Sequence, residues 1–315
     1  MARVVIAGGT GALGTALTRR LSGAHDVLAL APPGLGQLPP TERSGQQWPV
    51  DLTNIPDTEV ALAGAETVVV LAQARRPPAH LTRAALDDLD RLIADSLARA
   101  AQRCGVKRVV LFSCGPDDVR APLLAKSGVP VSVLSGGGPD PVTALAELVD
   151  APPGTSREGP AWTGEAPTPG VARLRVCSVQ RYPRPEGWSA EALARAYFGW
   201  LPGAAVATRV EEHGGAFTIY AFGARGLVLR HLPGRSEPDS CVLQVADGAL
   251  VHRARGPGRL EFRVLLDGVT ALTALTGFEP RLPWLIYRFS QAVMHERVMR
   301  RFGDFLAHQA AAPPG

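Results

Sequence analysis

The first half of the chain alternates short apolar runs with longer stretches in which apolar residues recur at helical spacing. The predicted strands lie at 4–7, 26–30, 67–72, 108–113 and 129–134. The predicted helices lie at 12–21, 85–104 and 142–149. Runs rich in valine and leucine that alternate with helices are typical of parallel strands joined by crossover helices. The pattern therefore predicts an α/β domain with a doubly wound parallel sheet over residues 1–150.

The periodicity changes after this domain. Residues 151–170 are rich in proline and glycine with almost no apolar periodicity, so we predict a linker without strand or helix. Beyond it, short strands separated by turn signals predict an antiparallel sheet. A helix at 190–200 and a long helix at 284–307 complete an α+β domain over 171–309, and residues 310–315 are predicted to be a disordered tail.

The composition indicates a globular protein rather than a disordered or membrane-spanning one. The 315 residues are 46% hydrophobic and 20% charged, and no apolar run approaches the roughly 20 residues that cross a bilayer. The N-terminus begins a strand directly and lacks the apolar region of a secretory signal, which predicts a cytoplasmic location. Four cysteines without C-x-x-C spacing predict neither a disulfide framework nor a zinc ribbon.

Positive charge is concentrated in the second part of the chain. Residues 1–170 carry 15 Lys and Arg against 17 Asp and Glu, whereas 171–315 carry 18 against 12. The basic residues are neither clustered nor interleaved with aromatics, so we predict no nucleic-acid partner. The long terminal helix has a basic outer face, for which core packing is favoured over attachment to a membrane surface. His295 and Glu296 have Met299 where a zinc helix needs its second histidine, so no metal site is predicted.

A glycine-rich turn directly after the first predicted strand is the strongest sign of function. Gly8, Gly11 and Gly14 are spaced three apart at the start of a predicted helix, whose positive end would receive phosphates. Gly8 would permit the tight turn, Gly11 the approach of a pyrophosphate, and Gly14 close packing of helix on strand. The alternative is a glycine-rich turn that holds no ligand. The dinucleotide-binding residues predicted in this turn are Gly8, Gly9, Thr10, Gly11, Ala12, Leu13 and Gly14.

With these features the first 150 residues resemble the atypical and extended branch of the short-chain dehydrogenase/reductase superfamily, a Rossmann-type family with the pattern G-x-x-G-x-x-G. Asp51 and Leu52 resemble the family's pair near the adenine ring, and Leu71 and Ala72 end a strand like the one that borders the nicotinamide ribose. Ser113 ends a strand where the family places its catalytic serine. The resemblance implies NAD or NADP as the cofactor, four further binding residues in these two pairs, and a catalytic role for the serine.

The family's Tyr-x-x-x-Lys pair is missing from the expected region. Lys126 has Pro122 four positions before it, so it is interpreted either as a ribose contact or, preferably, as an exposed charge. The second strand is followed by neither an acid for NAD nor an adjacent arginine for NADP, and Arg43 is interpreted as a loop charge. The choice between NAD and NADP therefore stays open. The tyrosines of the chain all lie later, at Tyr182, Tyr197, Tyr220 and Tyr287.

The order of elements after residue 170 resembles the helix-grip fold of the START and polyketide-cyclase-like superfamily. That fold wraps a curved sheet around a helix and leaves an apolar cavity, which implies a small hydrophobic ligand. The alternative is an appendage whose sheet simply packs against its helix. No sequence motif decides between the two.

Three functions are compatible with these features. The first, which the glycine-rich turn favours, is an NAD(P)-binding protein of atypical short-chain-dehydrogenase type. If it is an enzyme, hydride transfer is its expected reaction, with Ser113 polarising a small hydrophobic carbonyl or enoyl substrate. The second is a non-catalytic NAD(P)-dependent sensor or scaffold, which the loss of the Tyr-Lys pair favours. The third is a hydrophobic-ligand carrier or cyclase that uses the C-terminal domain. Neither the substrate nor the oligomeric state follows from the sequence.

Overall fold

The protein divides into two compact units. The first unit contains Met1–Arg75 and Leu89–Gly170, and the second contains Arg76–Asp88 and Val171–Gly315. Residues 76–88, which the sequence assigned to the domain over 1–150, therefore group with the second unit. The structure is a computed structural model, and it describes residues 1–31, 46–73, 79–115, 117–136, 138, 140–159, 172–205, 207–251, 258–281 and 291–311.

The first unit is built on a seven-stranded parallel sheet. In chain order its strands are β1 (Arg3–Ala7), β2 (Asp26–Ala31), β3 (Gln46–Pro49), β4 (Thr67–Val70), β6 (Arg108–Ser113), β7 (Val131–Ser135) and β8 (Arg157–Glu158). Strand β5 (Ala79–Arg83) lies between β4 and β6 in the sequence but belongs to the other sheet. Their order across the sheet is β3-β2-β1-β4-β6-β7-β8, and all neighbours are parallel. The predicted doubly wound parallel sheet is confirmed. Its central strands β1 and β4 are almost wholly buried, which explains their continuous apolar sequence.

Helices connect these strands. They are α1 (Ala12–Leu21), α2 (Ile55–Leu62), α3 (Leu86–Arg103), α4 (Arg120–Ala125) and α5 (Pro141–Asp150). Side-chain caps start two of them, because Asn54 accepts the Asp57 N–H and Asp140 accepts the Thr143 N–H. The sequence did not predict α2 and α4, which have only eight and six residues. Such short helices present too few turns for apolar periodicity to show.

The strand β8 corrects the prediction that residues 151–170 contain no regular structure. Arg157 and Glu158 extend the parallel sheet by pairing with Leu134 and Ser135 of β7. Both residues of β8 are exposed, so no apolar pattern marks the strand in the sequence. Residues 160–171 lie outside the described part of the chain.

The second unit contains an eight-stranded sheet. Besides β5 its strands are β9 (Ala172–Pro183), β10 (Thr208–His213), β11 (Ala216–Ala221), β12 (Ala224–His231), β13 (Ser240–Asp247), β14 (Gly258–Val264) and β15 (Thr270–Phe278). Their order is β10-β11-β12-β13-β14-β15-β9-β5, antiparallel throughout except for the pairing of β5 with β9. The predicted antiparallel sheet and long C-terminal helix are confirmed. The helices are α6 (Ala190–Ala204) and α7 (Gln291–Ala311), with a 3₁₀ turn at Pro233–Arg235.

The end of the chain differs from the predicted tail. Helix α7 continues through Ala311, so the first residues of the predicted tail at 310–315 are helical, as the alanines there favour. Residues 312–315 lie outside the described part, as does the predicted helix start at 284. In the described part of the chain, no helix is long and apolar enough to cross a membrane.

Aromatic side chains fill the space between the helices and the sheet of the second unit. Tyr197 of α6 lies 5.5 Å from Phe262 of β14 and 5.1 Å from Phe302 of α7, between ring centroids. Phe198 stacks on Phe217 of β11 at 4.0 Å. These rings form one buried cluster with aliphatic side chains from both helices and most strands. The sheet thus packs against both helices through this cluster, and the resemblance to the helix-grip fold stays a prediction.

Candidate functional site

The strand order of the first unit reverses at β1. Strand β2 follows β1 on one side, and β4 lies on its other side. In doubly wound sheets, ligands bind outside the carboxyl ends of the strands at this switch point. The glycine-rich turn follows β1 directly and therefore lies at this point.

Gly8 makes the tight turn that ends β1. Its φ is +90°, a backbone conformation that residues with a side chain rarely adopt. A Cβ atom at Gly8 would lie 2.8 Å from the Ala72 nitrogen, so the turn is pressed against the end of β4. The neighbouring Gly9 is equally close to β2, since its N–H donates to the Leu30 carbonyl and its Cβ would lie 2.6 Å from that of Ala29. The turn has room only for glycine at both positions.

Gly14 allows α1 to cross the turn at close range. A Cβ there would lie 2.5 Å from the Gly8 carbonyl oxygen and 2.6 Å from the Gly9 Cα. This is the close packing that the sequence predicts for the third glycine of the pattern.

The start of α1 provides backbone donors without a side chain over them. The helix begins after Gly11, which has an extended backbone and makes no side-chain cap. The first N–H groups of a helix have no partner within the helix and carry its positive dipole. An uncapped helix start beside a glycine-rich turn fits the pyrophosphate of a dinucleotide. Gly8 to Gly14 would hold this group.

Asp51 and Leu52, the predicted adenine-side pair, follow β3. One Asp51 carboxylate oxygen accepts the Thr53 N–H at 3.0 Å and the Thr53 hydroxyl at 2.6 Å. The carboxylate therefore stabilises the turn into α2, and both predicted residues are half-buried. The end of the loop between β2 and β3, including Arg43, lies outside the described residues.

Ser113, the predicted catalytic residue, ends β6 but is almost fully buried. Its hydroxyl donates to the Gly115 carbonyl at 2.6 Å and accepts the Gly115 N–H at 3.3 Å. It also helps to lower the pKa of the nearby Asp118 carboxyl. The hydroxyl is thus engaged by the Gly115 backbone and the Asp118 carboxyl rather than presented to a substrate.

A buried ion pair beside Ser113 was not predicted. The Arg120 side chain is inaccessible to solvent, and its Nε and one terminal nitrogen donate to the two Asp118 carboxylate oxygens at 2.8 and 2.5 Å. The terminal nitrogens also donate to the Ala72 carbonyl at 2.7 Å and the Phe112 carbonyl at 2.8 Å. The guanidinium therefore ties the chain just after β4 to β6. No linear pattern distinguishes such an arginine from a surface one.

The pair has a consequence for acid stability. Burial alone would raise the pKa of Asp118, but the hydrogen bonds and charge of Arg120 outweigh it, so the pKa lies below the ordinary 3.8. A carboxyl with a lowered folded pKa contributes stability above its unfolded pKa and loses it as the pH falls through the folded value. Urea denaturation should therefore show wild type more stable than Asp118→Asn by a constant amount above about pH 5, and by less at pH 3. An equal difference at both pH values would contradict this assignment.

Among its described residues, the first unit has no tyrosine that could complete short-chain dehydrogenase chemistry with Ser113. Lys126 is exposed at the end of α4, in agreement with the interpretation as a surface charge. Tyr182 and Tyr197 belong to the second unit, where burial raises the pKa of both phenols. Tyr220 is on β11 of the same unit, and Tyr287 lies outside the described residues. None of the described tyrosines is in the first unit.

Comparison with known proteins finds a family model that matches the N-terminal part of the chain. Residues 4–119 match the NAD dependent epimerase/dehydratase family. This epimerase/dehydratase family is of the extended short-chain dehydrogenase type, so the predicted resemblance is confirmed for that segment. The match also supports NAD(P) as the cofactor class. It begins at β1 and extends past Ser113 to Val119.

Individual relatives are more distant. The chain is 23% identical to "Auxiliary protein GraX" of Staphylococcus aureus over 307 residues, which cover 95% of this chain and 92% of that protein. The solved structure of WbmG from Bordetella bronchiseptica in complex with NAD has 22% identity and a TM-score of 0.36, and the similarity covers 43% of this chain and 53% of WbmG. The solved structure of UDP-N-acetylglucosamine 4-epimerase from Bacillus cereus has 13% identity and a TM-score of 0.38, and the similarity covers 53% of this chain and 80% of that enzyme. The chain thus matches about half the length of WbmG.

Proposed function

We propose that this protein binds NAD(P) on its glycine-rich turn without using the nicotinamide for catalysis, as a sensor or scaffold. The observation that carries the proposal is that the polar side chains at the strand ends beside the turn are already engaged with other protein groups. There the Ser113 hydroxyl is bonded to the Gly115 backbone, and the fully buried Arg120 is paired with the half-buried Asp118. A carbonyl substrate would need a free proton donor at this place. Neither Ser113 nor the pair of Asp118 and Arg120 offers one in this arrangement.

The similarity to GraX favours the same class of function. It extends over nearly the whole chain, and GraX is described as an auxiliary protein. An auxiliary role is compatible with a domain that keeps the nucleotide cradle and lacks the Tyr-Lys pair.

An oxidoreductase is the second candidate, because the first unit matches the epimerase/dehydratase family. A bound nicotinamide would supply a hydride donor or acceptor. Ser113 would then have to release its bond to the Gly115 carbonyl to polarise a substrate oxygen.

Fluorescence titration tests the nucleotide site directly. We expect wild type to bind NADH or NADPH, and Gly11→Val to weaken that binding at least about tenfold, or about 1.4 kcal/mol. The φ of Gly11 is −71°, which any residue adopts, so the valine should block the pyrophosphate without unfolding the protein. Gly23→Val is the matched control, because nothing lies within 4 Å of its Cβ position. Equal affinities of Gly11→Val and wild type would refute the cradle.

A turnover assay separates the two candidates. Bound NADPH should keep its absorbance when carbonyl compounds and nucleotide sugars are added in excess. Oxidation that Ser113→Ala abolishes, while nucleotide binding is retained, would establish the oxidoreductase instead.

A further inference from the structure

We propose that Arg120 is a positioning residue that holds the end of β4 as the wall for the nicotinamide half of the dinucleotide. The inference rests on the proposed function, because it assumes a dinucleotide on the glycine-rich turn. It assigns to this arginine the ordering of a binding surface, without direct contact with the nucleotide. Four observations within the first unit lead to it.

The first observation is how the chain leaves β4. The N–H groups of Leu71 and Ala72 both donate to the Ala7 carbonyl, each at 2.9 Å. Two successive amides on one acceptor bend the chain over the end of β1. Ala72 is thereby brought against Gly8, whose Cβ would overlap the Ala72 nitrogen. The end of β4 and the glycine-rich turn therefore form one continuous backbone surface.

The second observation is what holds this bend from behind. The Ala72 carbonyl accepts a hydrogen bond from Arg120, and the same guanidinium donates to the Phe112 carbonyl of β6. Leu71 and Ala72 are half-buried, whereas Arg120 is fully buried. The arginine is thus behind the surface that a ligand would touch.

The third observation is the fixed orientation of the guanidinium. The Asp118 carboxylate accepts hydrogen bonds from two guanidinium nitrogens. The terminal nitrogens also donate to the Ala72 and Phe112 carbonyls. A planar fork with several donors can satisfy a carboxylate and two carbonyls at once, which a lysine ammonium on a flexible stem does not reproduce. Arginine is therefore required at this position by the geometry of its hydrogen bonds as well as by its charge.

The fourth observation is which half of the nucleotide would meet this surface. A dinucleotide lies across the switch point, with one half on each side. Asp51, after β3, is on the side of β2, whereas Ala72 and Phe112 are on the side of β4 and β6. With the adenine half towards Asp51, the nicotinamide half faces the chain that Arg120 holds.

The experiment compares ADP, which has only the adenine half and a diphosphate, with NADH. The test variant is the double substitution Arg120→Met with Asp118→Leu, because replacing both members of a buried pair by apolar residues preserves folding better than removing one. We expect the dissociation constant for NADH to rise about tenfold, whereas that for ADP stays within about twofold. The emission spectrum of bound NADH should also shift towards that of free NADH. The single variant Arg120→Lys should show intermediate NADH affinity.

Lys126→Met is the matched control, since it removes an exposed charge from the end of α4 and should leave both affinities unchanged. An unchanged ratio of NADH to ADP affinity in the double variant would overturn the inference, whether both affinities fall together or neither falls. Wild type that binds ADP but not NADH would also overturn it. If wild type binds neither nucleotide, the proposed function itself fails, which is a distinguishable result.

Discussion

Glu261→Leu is expected to lower the free energy of unfolding by about 3–5 kcal/mol, because it removes one partner of a buried ion pair. Glu261 on β14 is 2% exposed and Arg263 is 1% exposed. One oxygen of the carboxylate accepts the Arg263 Nε at 2.6 Å and the Ser240 hydroxyl at 2.8 Å. Without the carboxylate, the guanidinium stays buried next to an apolar side chain.

Urea denaturation followed by tryptophan fluorescence measures this loss. The double substitution Glu261→Leu with Arg263→Met should recover part of the stability, since it removes the buried Arg263 charge together with the carboxylate. Arg259, whose Nε lies 3.5 Å from Glu261, also loses this ion pair in the double variant, so recovery is not complete. Glu211→Gln is the matched control, because Glu211 pairs with Arg209 on an exposed strand and surface pairs contribute about 1 kcal/mol or less. A Glu261→Leu midpoint equal to that of Glu211→Gln would show that the buried pair does not stabilise the sheet.

Gly14→Ala is expected to destabilise the protein, whereas Gly23→Ala is expected to be neutral or slightly stabilising. In an unhindered helix, replacing glycine by alanine stabilises by up to about 1 kcal/mol. At Gly14 the new Cβ would lie 2.5 Å from the Gly8 oxygen, and such overpacking costs about 1–3 kcal/mol. Because backbone atoms form this contact, they can yield only by moving α1 away from the turn. We therefore expect a net loss at Gly14, accompanied by weaker binding of NADH.

Gly23 provides the comparison. Its Cβ position is open, so alanine there should be neutral or stabilise by a few tenths of a kcal/mol through the unfolded state. Thermal unfolding of both variants and of wild type shows whether the melting temperature of each variant rises or falls. A Gly14→Ala protein that melts above wild type would mean that α1 is not seated on Gly8 and Gly9 as described.

Residues whose roles are local could be predicted from the sequence. The positive φ of Gly8 and the close contact at Gly14 follow from a glycine pattern between a strand and a helix. The doubly wound parallel sheet follows similarly, because apolar runs alternate with helical stretches in this part of the sequence. For these features, neighbours in the sequence carry most of the information.

Features that depend on distant partners could not be predicted in this way. Strand β5 pairs with β9 almost a hundred residues later, and its five residues Ala79–Arg83 contain one leucine and no other large apolar side chain. Arg120 is buried only because carbonyls from two separate strands and Asp118 surround it. Ser113 ends β6 where the resemblance implies a catalytic serine. Which group its hydroxyl contacts depends on the backbone path of the next two residues, which brings the Gly115 carbonyl to it.

The path of the chain between β4 and α3 determines how the protein can be divided. The polypeptide leaves the first sheet, adds β5 to the second sheet beside β9, and then returns through α3. A cut anywhere between the two halves of the sequence would separate β5 from its sheet. A fragment ending near residue 170 would expose an orphaned strand, and the complementary fragment would begin with β9 as a bare edge that invites aggregation. Independent production of either unit would therefore require deletion or transplantation of residues 76–88, and exchange of the units between relatives would require three crossover points.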